Sequence, residues 1–129
     1  MKKRKNFMKL LLVTGCIILG LGAATVVQAR AYISYETVTK SGVSAVHSNA
    51  TGTNSFHVDY GASCASGTLY ATVQYYTADG YVDIAESTKS LSAGETVRSA
   101  SVYYSPYKIF RLKLSGVTGK GNGWIQGRE

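Results

Sequence analysis

Four side chains in this 129-residue chain carry metal-ligand or nucleophile chemistry within a short span: His47, His57, Asp59 and Cys64. His57 and Asp59 are two residues apart, so on an extended strand they share a face and both can reach one ion. No H-E-x-x-H or paired C-x-x-C accompanies them, and a solvated strand face produces the same His-x-Asp spacing. The spacing therefore specifies no metal, and no cofactor is expected. Cys64 with either histidine has the elements of a thiol nucleophile and its base. The surrounding Gly61-Ala62-Ser63-Cys64 has no signature of a cysteine protease or transpeptidase, and a free cysteine commonly packs as a small buried hydrophobe. Gly116 to Gly123, GVTGKGNG, has the glycines of a phosphate loop. It lacks the Gly-Lys-Ser/Thr ending and no helical pattern follows, so it reads as a flexible turn ahead of a final edge strand. Asn49-Ala50-Thr51 fits a glycosylation sequon, which has meaning only in a eukaryotic secretory route.

Better binding candidates are aromatic and basic. All ten tyrosines lie beyond residue 29. Tyr75-Tyr76 and Tyr103-Tyr104 are neighbours, and neighbours on a strand face opposite sides. Each pair must put one ring outside a one-sided core. Tyr70, Tyr76 and Tyr104 are expected outside, where flat rings with a hydroxyl suit sugars, peptides or protein surfaces. Strand propensity alone also enriches tyrosine. Lys108, Arg111 and Lys113 are the local positive cluster, a face for an anionic cell-wall polymer or a membrane surface. Lysines on an edge strand also serve to block aggregation.

These residues sit in a succession of strand patterns. Thr68 to Thr77, TLYATVQYYT, alternates Leu69, Ala71, Val73 and Tyr75 with Tyr70, Thr72, Gln74 and Tyr76. Ala78-Asp79-Gly80 is a hairpin turn. Alternation resumes from Tyr81 to Glu86, with Val82 and Ile84 opposite Asp83. Ser92-Ala93-Gly94-Glu95 is the next turn, Thr96 to Tyr104 another strand, and Ser105-Pro106 a break. Lys108 to Leu114, KIFRLKL, buries Phe110, Leu112 and Leu114 on one side. Earlier, Ala31 to Thr39, Val43 to Ser48 and Ser55 to Tyr60 read as strands, with Asn49 to Asn54 a polar loop. A short last strand includes Trp124 and Ile125. Seven or eight short strands with a turn about every ten residues make an all-β fold. The expected architecture is a small antiparallel β-sandwich, immunoglobulin-like or jelly-roll, although the Cys–Trp–Cys arrangement of antibody domains is missing.

The first 29 residues follow a different logic. Lys2, Lys3, Arg4, Lys5 and Lys9 form a basic head, Leu10 to Val27 carries no charge, and Val27-Gln28-Ala29 ends in small residues. That order is a secretory signal-peptide helix cut between Ala29 and Arg30, leaving residues 30–129 as a single domain. Its long, Lys-rich style looks bacterial. Val13-Thr14-Gly15-Cys16 resembles a lipobox, but an apolar run follows the cysteine where a polar tether is expected. An uncleaved anchor is the other alternative, at the short edge of a spanning length. The leader holds five of the fourteen basic residues and none of the seven acids. Its removal thus takes the net charge from +7 to +2 and takes away Cys16 as a partner for Cys64.

The expected protein is therefore small, secreted and non-enzymatic, binding a cell-wall polymer, a carbohydrate or a surface protein. No nucleic-acid partner is expected at this charge, and membrane contact is expected only through the leader. The alternative is a secreted bacteriocin-like or toxin polypeptide, for which no amphipathic membrane-active helix is present. Mass spectrometry of the exported protein should find an N-terminus at Arg30; an intact Met1 or a lipidated Cys16 would contradict the assignment.

Overall fold

The computed structural model describes residues 32–129; the expected leader and the expected cleavage site at Ala29 and Arg30 lie outside them. The described residues are all-β, with ten strands rather than seven or eight. They are β1 (Tyr35–Lys40), β2 (Val46–His47), β3 (Thr51–Gly52), β4 (His57–Ser66), β5 (Thr68–Thr77), β6 (Gly80–Asp83), β7 (Lys89–Ser92), β8 (Thr96–Tyr103), β9 (Ile109–Ser115) and β10 (Lys120–Gly127). One 3-10 turn, Ala85–Ser87, interrupts the path between β6 and β7.

Every pairing is antiparallel. Sheet I has the order β1-β10-β4-β8. Sheet II has the order β2-β9-β5-β6, with β3 also on β9 and β7 also on β5. The alternation expected for β5 and β9 is realised in register: Val73 lies opposite Leu112, Ala71 opposite Leu114 and Tyr75 opposite Phe110. Phe110, Leu112 and Leu114 are fully buried, each worth roughly 1.5–3 kcal/mol relative to exposure. From sheet I, Val58, Tyr60, Ala62, Cys64 and Ile125 join the same cluster. The Tyr60 hydroxyl reaches the Ser87 carbonyl at 2.6 Å, so the one phenol in that core is hydrogen-bonded.

The largest departure from expectation is β10. Its sequence, KGNGWIQG, reads as a loop running into an edge strand, yet it is eight residues long and lies between β1 and β4. Alternation puts Gly121, Gly123, Ile125 and Gly127 toward the core. A Cβ on Gly123 would collide with Leu112, and one on Gly127 with the Gly52 backbone. Glycine is there to let other chain segments close in, which no hydrophobic pattern reports.

Other departures have equally local causes. Thr51 and Thr53, in the expected polar loop, are buried. The Thr51 hydroxyl accepts from the Ser34 and Gly127 amides and donates to the Ser34 carbonyl, so the segment is polar because it is wired in. Val82 is exposed, since β6 is a short strand at one edge of its sheet and the chain turns inward only at Ile84. Phe56, within the expected Ser55 to Tyr60 strand, stands outside β4 at φ 62°.

Lys40, on the inward side of β1, is 1% exposed. Its ammonium donates to the carbonyls of Gly42, Gly116 and Gly119, the latter two at 2.7 and 2.8 Å. The glycine-rich turn, which only superficially has the glycines of a phosphate loop, thus points carbonyls toward a cation. Lys40→Met should lower the unfolding free energy by about 1–3 kcal/mol through carbonyls left unpaired. An unchanged urea midpoint would show the ammonium to be dispensable.

Candidate functional site

The outward side chains of sheet II are fixed by register. Gln74 lies between Arg111 and Asp83, Tyr76 faces Tyr81, and Thr72 faces Lys113. Arg111 Nε donates to Gln74 Oε1 at 2.7 Å, and Gln74 Nε2 donates to Asp83 Oδ1 at 2.8 Å. Lys113 Nζ holds Asp83 Oδ2 at 2.9 Å. The Arg111 guanidinium lies 3.7 Å from the Tyr81 ring centroid, a cation–π contact. The Lys113 hydrogen bond holds the Asp83 carboxyl below its usual range. Burial, reinforced by Arg111 and Lys113, pushes the His47 imidazole down, which favours its neutral form at neutral pH.

The expected basic face is therefore corrected. Arg111 and Lys113 share the outer face but already have partners. Lys108 precedes β9 and lies 5.7 Å from the Phe56 ring centroid. It falls in step with Phe110, not with Arg111 and Lys113. Of the three, only Lys108 has an exposed side chain without an ion pair among the described residues.

Tyr70, Tyr76 and Tyr104 do not form one patch. Tyr70 and Tyr76 share the outer face of β5 but lie about 20 Å apart at six residues' separation. Tyr76 packs edge-on against Tyr81, with centroids 5.3 Å apart. Tyr104, expected outside, is half-buried instead: with Tyr75 and Tyr107 it packs against the hydrophobic core, in a cluster with centroids 4.8, 4.3 and 5.7 Å apart, because the chain turns across the end of the sheets after β8.

That cluster belongs to one end of the two sheets. Backbone bonds tie the end together: Tyr104 N to Phe56 O, Thr53 N to Lys108 O, Asn54 N to Arg128 O and Gly52 N to Tyr32 O. With Tyr35 at the start of β1, Tyr76 and Tyr81 beside the β5–β6 turn and Tyr103 at the end of β8, this end holds all the tyrosines but Tyr60 and Tyr70. Tyr32, Tyr35 and Tyr103 are well exposed there. Sequence spacing could not find this cluster, because its members come from strand ends far apart in the chain.

The chemistry-bearing quartet is dispersed. His57 and Asp59 point outward on β4, whereas Cys64, five residues beyond Asp59, points into the core and is 3% exposed. Cys64 and His57 thus lie on opposite sides of a sheet and cannot form a nucleophile–base pair. Asp59 is held by Arg128 at 2.8 Å and by Ser101 at 2.7 Å. The His57 ring packs 4.6 Å from that of Tyr103. Among the described residues no three His, Cys, Asp or Glu converge on a possible ion.

No protein family and no curated protein matches this sequence. Among solved structures, the crystal structure of PirA is similar at 13% identity, with a TM-score of 0.48, covering 79% of this chain and 98% of that one.

Arg128 and Lys113 hydrogen bonds lower the pKa values of Asp59 and Asp83 from 3.8. A carboxylate depressed in the folded state stabilises it above the unfolded pKa and loses that effect as pH falls through the folded value. Urea midpoints should therefore stay level down to about pH 4 and drop below it. The double variant Asp59→Asn, Asp83→Asn should flatten that acid limb; an unaltered slope would assign it to other groups.

Proposed function

We propose that residues 32–129 are a jelly-roll β-sandwich, exported by the leader, that acts outside the cell as a non-enzymatic carbohydrate-binding module. Strand order supports the architecture. β2 and β3 share the partner β9, and β6 and β7 share the partner β5. Counted so, the chain fills eight positions, four per sheet, with the first and last strands adjacent. Eight strands in two sheets suit the paired Greek keys of a jelly roll better than the seven-strand immunoglobulin arrangement.

Such a fold serves many functions, so the reading of function rests on a site. The observation that carries it is the gathering of eight of the ten tyrosines at one end, three of them packed as Tyr75, Tyr104 and Tyr107. Rings already packed on one another lose little freedom when a ligand lands, and they combine apolar faces with hydroxyls. Polyhydroxylated rings need that combination. The net charge of +2 beyond the leader, with Arg111 and Lys113 engaged, favours recognition by stacking and hydrogen bonding over a broad electrostatic field.

Retention of the purified protein on isolated bacterial cell wall tests the proposal. Tyr104→Ala combined with Tyr107→Ala should weaken retention about tenfold, the loss of roughly 1.4 kcal/mol of contact. Tyr70→Ala, at the other end of β5, should leave retention unchanged. Equal retention of all three proteins would remove the tyrosine end from the binding surface.

A further inference from the structure

The outer face of sheet I holds a second feature, which adjoins the tyrosine end at Tyr35 but uses neither Tyr104 nor Tyr107. On β10, the sole tryptophan, Trp124, points outward between Thr37 of β1 and Gly61 of β4. Tyr35 stacks on the indole from the β1 side, with centroids 5.6 Å apart and planes 21° from parallel. On the β8 side the indole forms one wall of an open pocket of about 100 Å³. Arg98, Asn122, Ser63 and Thr96 also line it, the last two joined by a 2.7 Å hydroxyl–hydroxyl bond.

Two devices build this pocket. Gly61 has no side chain where a Cβ would collide with Trp124 Nε1 and crowd the carbonyls of Val97 and Arg98. Opposite Gly61, β8 carries an irregularity: Tyr60 pairs with Ala100 and Ala62 with Val97, so Arg98 and Ser99 oppose a single residue. A bulge of this kind re-aims a side chain and ends regular pairing locally. Among the described residues the indole N–H has no protein acceptor, although a half-buried indole N–H ordinarily finds one. Arg98 likewise makes no ion pair among the described residues. No acid lines the pocket, and Asp59, further along the face, is held by Arg128 and Ser101.

We infer that this pocket binds one pyranose ring carrying a carboxylate, a uronate-type sugar. The ring stacks on Trp124, the carboxylate meets Arg98, and ring hydroxyls meet Asn122 and the Ser63–Thr96 pair. The indole supplies the flat apolar wall that a sugar ring needs. Arg98 supplies the unmatched positive charge, in the planar fork that suits a carboxylate.

The lone tryptophan makes the test direct, because all indole emission of the full-length chain comes from Trp124. Titration with methyl glucuronide should shift that emission to saturation. Methyl glucoside should bind about tenfold more weakly, lacking the charge-assisted contact. Sodium acetate should produce no shift. Arg98→Ala should reduce the glucuronide to the level of the glucoside, and thermal melting should be unchanged because Arg98 is exposed. Asn122→Ala should weaken both sugars. Equal affinities for the two sugars in the unaltered chain, an acetate response matching that of glucuronide, or no response from folded protein would each overturn the assignment. Retention on cell wall through Tyr104 and Tyr107 is read separately, so either proposal can fail alone.

Discussion

The rest of the molecule depends on keeping a glycine-rich strand in the middle of a sheet. β10 pairs with β1 on one side and β4 on the other, and without it sheet I divides in two. Its core face supplies one large side chain, Ile125, between glycines. The space is filled from sheet II by Leu112, Leu114 and Leu69 closing on those glycines. A strand of this composition gains little from its own burial and loses more backbone entropy than most. It is secured instead at both ends by buried polar groups. Lys40 holds the turn that leads in, and Thr51 receives the Gly127 amide at the exit.

The same economy governs charge. Arg111, Lys113, Asp83, Asp59 and Arg128 are joined to partners on the outer faces of the sheets. Exposed pairs of this kind contribute about 0–1 kcal/mol each. Their larger consequence is that Arg111 and Lys113 are not free to act as a basic face. What stands out on the surface is aromatic: a tyrosine-rich end, and an indole beside Gly61 with an unengaged arginine nearby. Both present aromatic rings rather than paired charge.

Some of this was legible directly. β5 and β9 alternate cleanly because one side of each is buried by the other sheet, and the Asp79-Gly80 turn and the Ser105-Pro106 break fall where local backbone preferences put them. The outward placement of Tyr70, Tyr76, Arg111 and Lys113 followed from parity alone. β10 was hidden because glycine writes no hydrophobic pattern. The buried segment around Thr51 was hidden because its polarity serves internal bonds, and polarity alone does not distinguish those from solvation. Lys108 was placed with Arg111 and Lys113 by proximity in sequence, whereas alternation separates it from them.

By itself the sequence determined the all-β class, the faces of its strongest strands and the solitary state of Cys64 beyond residue 29, because these depend on local periodicity and composition. Only the tertiary structure decided which residues meet. Tyr75 reaches Tyr104 and Tyr107 because two sheets end together. Arg111 reaches Tyr81 because β9 and β6 flank β5. Trp124 lies against Gly61 because β10 inserts beside β4. Each contact joins residues distant in the chain, and strand order and register, rather than local preference, set those distances.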